Sequence, residues 1–394
     1  MSIRKKPIQN SRRPTTGAAS RIYSRENVGR YSERARQRRT RKRVRRGILC
    51  GVVGVLLVGV VAAGAWFTSI MSRLNDSSII TSALQQILVD SDVTREPFYM
   101  LLLGTDGRQD GEVERSDSII LARIDAPNKQ VTLISIPRDT KVTIDGGTYK
   151  INAAYSLGGA EKMVQAVNDL CDVQISHYAE VSFEGMKSLI DAVGGIDIYV
   201  PEGDEVDDPE AGPVKIEAGQ QHMDGEAALT FSRARHQFLD GDYTRMRHQR
   251  MVLGALADQI LNKLDPTTIV SLVESVANMV VTDLSASDIV ALVNAMRGMD
   301  TNNIWSANIP SYANESTYIN GQSYVFVYEE ALAEMMERVD DGEDPRGPQS
   351  MGETGDSATI GDLSNNSNED WASGNATTGS SSSSSSDGES STAQ

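Results

Sequence analysis

Cysteine is nearly absent from this 394-residue chain: only Cys50 and Cys171 occur. A disulfide framework and a CxxC zinc module are both excluded. Histidine is almost as scarce. The four that occur, His177, His222, His236 and His248, have no HExxH spacing, which argues against a zinc hydrolase. No GxSxG elbow and no GxxxxGK[ST] loop is found, so serine hydrolases and P-loop enzymes lose their usual signatures. What is present is a 39% hydrophobic share, enough to bury a core and to exclude wholesale disorder. The length fits one to three domains of roughly 100–200 residues.

The net charge of −16 conceals a sharp division. Residues 1–46 carry seventeen Lys and Arg against only Glu26 and Glu33, so the rest of the chain holds −31. Between the two regions runs the long uncharged stretch 47–72. A helix crosses a bilayer with roughly 20 apolar residues, and this stretch supplies them, with Trp66 and Phe67 near its far end as interfacial aromatics. The pattern predicts a single-pass membrane anchor with a basic cytoplasmic tail, 1–46, and an exported C-terminal region. A cleaved signal peptide is the alternative, with Ala62–Ala65 as small residues for cleavage, but its leader and apolar core exceed the usual length. A nucleic-acid-binding arm is the rival reading of the tail. Gly47 and Gly51 form one GxxxG pair, a weak signal for a homodimer through the membrane helix. Cys171 falls in an apolar helical stripe and reads as an inert core residue; Cys50 reads as a membrane-buried spectator, with acylation as the alternative.

Beyond the anchor, 73–96 reads as a partly helical stalk, 97–338 as the folded domain and 339–394 as a disordered acidic, serine-rich tail with seven consecutive serines, Ser380–Ser386. Within the domain, strands are expected at Tyr99–Leu103, Ser118–Ile124, Val131–Ile136, His177–Phe183, Ile196–Val200, Ile304–Ile309 and Tyr324–Tyr328. Helices are expected at Ala154–Cys171, Glu184–Val193, Tyr243–Leu264, Thr267–Val281 and Ser285–Arg297. That order argues for an α/β fold with a mostly parallel core.

Open α/β sheets place ligands beyond the carboxyl ends of their strands. Asp106 follows the first strand and Asp117 heads the second. Two carboxylates joined by a short loop can hold Mg²⁺ and leave positions for water and phosphate; solvated loop acids or turn caps are the plainer reading. Arg138 follows the third strand. Arg233 and Arg235 lie two apart and, if extended, share one face. Guanidinium groups match phosphate oxygens in bidentate fashion, although each alone also reads as a surface ion pair. The helix from Tyr243 places Arg245, Gln249, Val252, Leu256 and Ile260 on one face. A charge on a stripe that enters the core needs a partner: either a bound diphosphate or a buried pair with Asp240 or Asp242.

These pieces in this order resemble the LytR-CpsA-Psr family of membrane-anchored cell-wall glycopolymer ligases, a Gram-positive group. The matching segments are LLLGTDGR (101–108), RSDSIIL (115–121), VTLISIPRDT (131–140), KINAAYSLGG (150–159), VSFEGMKSLIDAVGGIDIYV (181–200), GQQHMDGEAALTFSRAR (219–235) and Arg245 through Gln249. The family helix motif usually has Arg before its Gln; here that place is His248. The resemblance implies an α/β/α sandwich around a central mixed, mostly parallel sheet. It also implies transfer of a glycan phosphate from a polyprenyl-pyrophosphate carrier to the 6-hydroxyl of peptidoglycan N-acetylmuramic acid, releasing polyprenyl phosphate, with pyrophosphatase activity as a side reaction. By position, Asp106 and Asp117 would hold Mg²⁺, or Mn²⁺ in its place. Arg115, Arg138, Arg233, Arg235, Arg245 and Gln249 would grip the pyrophosphate, with Lys150 a weaker candidate. Asp139 would orient the arginines or act as a base. A long apolar cavity between sheet and helices would take the lipid. The competing readings are a non-catalytic wall-glycan-binding protein and a transcriptional attenuator; the latter needs nucleic acid, which an exported domain does not meet.

Overall fold

The computed structural model describes residues 78–105, 116–239, 241–264, 280–313 and 317–346, with Thr268 and Leu272 besides. The expected cytoplasmic tail, the membrane segment 47–72 and residues 347–394 lie outside them. Among the described residues no helix is long and apolar enough to cross a membrane.

In chain order the elements are α1 (Ser82–Ile87), β1 (Phe98–Thr105), β2 (Ser116–Asp125), β3 (Gln130–Ser135), β4 (Lys141–Ile144), β5 (Gly147–Lys150), α2 (Ala153–Cys171), β6 (Ile175–Ser182) and α3 (Phe183–Ala192). There follow β7 (Ile196–Val200), β8 (Gly219–Met223), α4 (Gly225–Arg233), α5 (Asp242–Asp258), β9 (Val280–Thr282), α6 (Ala286–Met296) and β10 (Ile304–Asn308). Four two-residue strands, β11 (Ser311–Tyr312), β12 (Tyr318–Ile319), β13 (Gln322–Ser323) and β14 (Phe326–Val327), precede α7 (Glu329–Asp340).

Six strands form the central sheet in the order β10–β3–β2–β1–β6–β9. β1, β3, β6 and β10 run together, and β2 and β9 oppose them. The sheet is mixed, as expected, but less parallel than expected: β1–β2, β2–β3 and β6–β9 are antiparallel pairs. The turn Ala126–Lys129 between β2 and β3 is far too short for the crossover that a parallel pair requires.

Side-chain alternation sorts the sheet into two buried faces. Leu101, Leu103, Ile119, Leu121 and Ile134 pack under α1, α2 and α7. Leu102, Ile120, Ala122 and Leu133 pack under α3, α4, α5 and α6. The result is the α/β/α sandwich, and the unbroken apolar run of β1 follows from burial on both sides. Cys171 sits in the first of these cores, 2% exposed, and burial pushes its thiol up to about 12.

Local signals set the helix starts. Ser182 and Asp224 accept hydrogen bonds from Gly185 and Ala227 at the heads of α3 and α4, and Ser285 with Asp288 forms a capping box on α6. Gly195, at φ +90°, turns α3 into β7, where a Cβ would lie 2.6 Å from His222 Nε2.

The boundaries expected from sequence need revision at both ends. Residues 78–96 of the segment expected as a stalk are part of the domain: Leu84 is fully buried in the core, and the Val89 amide donates to Ile175 O at 3.1 Å. α7 runs past residue 338, and Asp340 accepts from Tyr99 Oη at 2.5 Å while its carbonyl accepts from Arg123. β7 pairs with β8 outside the central sheet. Val280 and Val281, expected to end a helix, are strand residues.

Candidate active site

The co-directional strands β1, β3 and β6 all finish at one sheet edge, at Thr105, Ser135 and Ser182. Because β2 is antiparallel, its first residues lie at that same edge, with Ser116 opposite Thr105. Asp117 therefore stands beside the ends of the other strands. A turn after β3, in which Thr140 donates to Pro137 O through both its amide and its hydroxyl, holds Arg138 at this edge. Arg138 Nη1 donates to Asp117 Oδ1 at 2.6 Å.

α4 and α5 supply the opposite wall. Arg233 is the last residue of α4, and the chain turns extended only at Ala234. This corrects the extended reading of Phe231–Arg235, yet Arg233 and Arg235 still face one cavity. α5 presents Arg245 and Gln249 one turn apart, both buried, with Val252 and Leu256 continuing the stripe into the core. Asp242 Oδ1 lies 2.7 Å from Arg245 Nη2, so the ion-pair reading of this arginine holds. It does not satisfy the group: Arg245 Nε and Gln249 Oε1 are buried without a hydrogen-bond partner. A buried polar group left without a hydrogen bond costs about 1–3 kcal/mol. Of the two, the Arg245 Nε–H is the one that can donate to an oxyanion, while the Gln249 amide nitrogen already donates to Ser232 O at 3.4 Å.

These side chains meet in one cavity of about 410 Å³. Asp117, Arg138, Arg233, Arg235, Arg245 and Gln249 line it, joined by Phe183, Glu184, Glu210 and His236. Burial lowers the Arg245 pKa, opposed by Asp242 and reinforced by Arg138 nearby. The Arg138 pKa is raised: burial acts against it, and Asp242, Asp117 and Asp139 outweigh the burial. Four guanidinium groups gathered this closely repel one another, and an oxyanion among them relieves that repulsion.

Two expected residues stand apart from the cavity. Lys150 Nζ pairs with Asp139 Oδ1 at 3.1 Å and lies over the Tyr324 ring; neither Lys150 nor Asp139 lines the cavity. Asp106 and Arg115 lie outside the described residues. His248 faces away from the cavity. It is fully buried, stacked on Phe231 with ring centroids 3.9 Å apart, and its Nε2 lies 3.5 Å from Asp204 Oδ2.

An apolar slot of about 70 Å³ adjoins the cavity, sharing Phe183, Leu229 and Gln249 with it. It runs between the sheet, at Leu102 and Ile120, and the helices, at Met186, Val252 and Leu253. Gly104 forms part of its wall, where a Cβ would come 3.0 Å from Ser118 Cβ. The slot lies where a long apolar cavity was expected, and its enclosed space is small beside that of the charged cavity.

A second constellation was not foreseen. Ser91 Oγ lies 3.0 Å from His177 Nε2, and His177 Nδ1 lies 2.7 Å from Asp283 Oδ2, beside a cavity of about 520 Å³. The spacing is that of a nucleophile, a base and its orienting acid. However, the Asp92 amide, next to the serine, already donates to Glu96 at 2.8 Å, and Asp90, Asp92, Glu96 and Asp288 line the cavity. Such a lining repels a developing oxyanion. Asp283 also accepts from the Tyr178 amide at 2.7 Å, which fastens the end of β9 to β6.

Glu184, Glu210, His236 and Phe183 were missed as site residues. Glu184 and Phe183 sit in the matched segment 181–200, directly after a strand end, where the carboxyl-end rule applies. His236 directly follows the SRAR run. Glu210 has no local signal, because the 201–216 loop carries it in from a distance.

Known proteins share this fold. A Bacillus subtilis protein named polyisoprenyl-teichoic acid–peptidoglycan teichoic acid transferase TagV is 34% identical over 237 residues, 58% of this chain and 59% of that protein. The chain thus spans under two thirds of that relative's length. An Enterococcus faecalis protein of the same description, TagU, is 34% identical over 227 residues, covering 55% of this chain and 71% of that protein. The crystal structure of B. subtilis TagV superposes with a TM-score of 0.57 at 29% identity, over 63% of this chain and 97% of that one. That of TagT bound to LI-WTA gives 0.53 at 25% identity, over 64% and 93%. With the LytR_cpsA_psr family matching residues 69–341, the whole sandwich and both walls of the arginine cavity, this chain belongs to the LytR_cpsA_psr (LytR-CpsA-Psr) family.

Proposed function

We propose that this protein is a transferase that moves a glycan phosphate from a polyprenyl-pyrophosphate carrier to the 6-hydroxyl of peptidoglycan N-acetylmuramic acid, forming a phosphodiester and releasing polyprenyl phosphate. The observation that carries the reading is the unpartnered Arg245 Nε, buried in a cavity with Arg138, Arg233 and Arg235 and continuous in lining with an apolar slot. Such a site suits a ligand with a multiply charged anionic head and an apolar tail. The names of the similar proteins, teichoic acid transferases to peptidoglycan, agree with it.

Phosphoryl transfer requires positioning and neutralisation of charge more than covalent help. Arg245 and Gln249 are fixed on a helix, so they hold the diphosphate in register with the sheet edge. Arg233, seated over the Phe183 ring at 5.5 Å, and Arg235 close the other side. Asp117 keeps a second carboxylate oxygen beside the one that Arg138 takes. Mg²⁺ is commonly held by one or two carboxylates together with phosphate oxygens and water, so Asp117 with Asp106 is a sufficient donor set, for Mg²⁺ or for Mn²⁺. When bound, the ion would supply Lewis-acid charge at the phosphate oxygens. Residues 47–72 would anchor the domain on the outer face of the membrane, where peptidoglycan lies.

The test is release of polyprenyl phosphate by the full-length protein in detergent. The donor is farnesyl-diphospho-N-acetylglucosamine, the acceptor a glycan strand with free muramic 6-hydroxyls, and Mg²⁺ is present. Turnover is expected, with a loss of ~10²–10³-fold in Arg245→Ala and little change in melting temperature. Donor binding without turnover would instead identify a wall-glycan-binding protein.

A further inference from the structure

The transfer reading leaves one need unmet: the attacking hydroxyl must lose its proton. Asp139 is engaged with Lys150 and does not line the cavity. His236 does line it. Its Nε2 accepts a hydrogen bond from Arg235 Nε at 3.2 Å. A guanidinium nitrogen can only donate, so Nε2 carries the lone pair and the ring proton belongs on Nδ1. Nδ1 lies 3.1 Å from Glu210 Oε2 and 3.6 Å from Asp208 Oδ2. Asp208 is buried, and its Oδ2 has no hydrogen-bond partner. An imidazole with its proton on the nitrogen that faces carboxylates and its lone pair on the other has the tautomer of a general base.

The same segment is stitched to the loop that brings those carboxylates. The Asp207 amide donates to Gln237 Oε1 at 2.9 Å, and Gln237 Nε2 donates to Glu205 O. Farther along the loop, Asp204 pairs with Arg247 of α5. The loop that carries the carboxylates is therefore tied to the segment that carries the imidazole; Asp208 is buried beside the ring, and Glu210 reaches it from solvent.

We propose that His236 is the general base of the transfer and that Glu210 and Asp208 are positioning residues, an inference that rests on the transfer reading. Arg235 links base and anion. With no diphosphate present its Nε occupies His236 Nε2; a bound diphosphate draws the guanidinium to its own oxygens and frees the lone pair for the incoming hydroxyl. The hydroxyl proton passes to Nε2, and its oxygen bonds to the phosphorus that bears the glycan. The bond from that phosphorus to the bridging oxygen breaks, and polyprenyl phosphate leaves with that oxygen. The imidazolium then returns its proton to solvent. Charged groups facing the ring or its cavity are Glu210, Asp208, Arg235, Arg233, Glu184, Asp117, Arg138 and Arg245.

The experiment uses the full-length protein with farnesyl-diphospho-N-acetylglucosamine as donor and the glycan-strand acceptor. Farnesyl diphosphate serves as a separate binding probe. His236→Gln is expected to lower kcat by ~10²–10⁴-fold and to keep its affinity for farnesyl diphosphate within about twofold of wild type, since the arginines remain. The limb of the kcat profile that falls toward low pH should vanish, and added imidazole should restore part of the rate of His236→Ala. Glu210→Gln should lose about tenfold, and Glu210→Asp less. Wild-type turnover in His236→Gln with the low-pH limb intact would overturn the assignment. So would loss of farnesyl diphosphate affinity in step with turnover, which would make His236 an anion ligand. A wild-type protein that binds the donor and transfers nothing removes the transfer reading itself, and the base with it.

Discussion

Arg138 and Asp117 meet at 2.6 Å across the ends of β3 and β2, a contact that sets a cation against the one acid of its cavity that reads as a metal ligand. The pair has a consequence of opposite sign for anion binding and for turnover. Asp117→Asn deletes a negative charge among four arginines. Its affinity for farnesyl diphosphate in the absence of divalent ions should rise by roughly fivefold, about 1 kcal/mol. Its Mg²⁺-dependent turnover should fall by ~10²–10³-fold. Calorimetric titration in EDTA reads the first effect, and polyprenyl phosphate release reads the second. A parallel loss of both would show that Asp117 orders the arginines and does not bear a metal.

The cluster of Asp204, Arg247 and His248 should govern stability toward acid. Burial lowers the His248 pKa from its ordinary 6.5, with Asp204 pulling the other way. Burial would raise Asp204 from 3.8, but His248 and Arg247 outweigh it and the net shift is downward. Both signs agree. The unfolded chain protonates His248 below 6.5 while the fold resists, so stability is lost as pH falls through 6.5 toward the folded value. Asp204 contributes stability above 3.8 that is lost below it, toward its own depressed value. Melting temperature should therefore fall from pH 7 to pH 4, and His248→Leu should flatten the upper part of that decline. Arg247→Ala, which strands a buried carboxylate, should cost about 3–5 kcal/mol. His248→Arg, which restores the residue usual in the family motif, should leave farnesyl diphosphate affinity unchanged, because this side chain points away from the arginines.

Head and tail of the donor should be separable. Leu253 lines the apolar slot and not the charged cavity. Leu253→Trp should weaken geranylgeranyl diphosphate by tenfold or more, about 1.4 kcal/mol, and leave inorganic pyrophosphate unaffected. Competition titrations with the two ligands measure this directly. Equal weakening of both would place the lipid elsewhere. The half-buried Met186 and Leu253 form the α3 and α5 walls of the slot.

Much of this was legible in the sequence where a short-range pattern carries it. The run Tyr99–Leu103 announced a strand buried on both faces, and the 245–249–252–256 spacing announced a helix whose polar head turns inward. The four arginines of the cavity were legible as a set because each lies at an element's end. Glu210 and Asp208 were not, since no periodicity marks a loop folded back by a buried Asp204–Arg247 pair. His248 misled for a related reason: adjacent helix positions point about 100° apart, so the neighbour of a cavity-facing Gln249 falls into the core beside Phe231. The antiparallel partners of β2 were written in the short Ala126–Lys129 link, a length signal that the strand–helix alternation overshadowed.

The pairing of Thr105 with Ser116 pins the two ends of a ten-residue stretch side by side on the sheet. With its ends fixed, that stretch can change in length between Asp106 and Arg115 at little cost to folding, since doubling a loop costs only about 0.6 kcal/mol in closure entropy. Evolution thus has a place to tinker beside the arginines, where a new insertion can be tried without unsettling the scaffold that holds them.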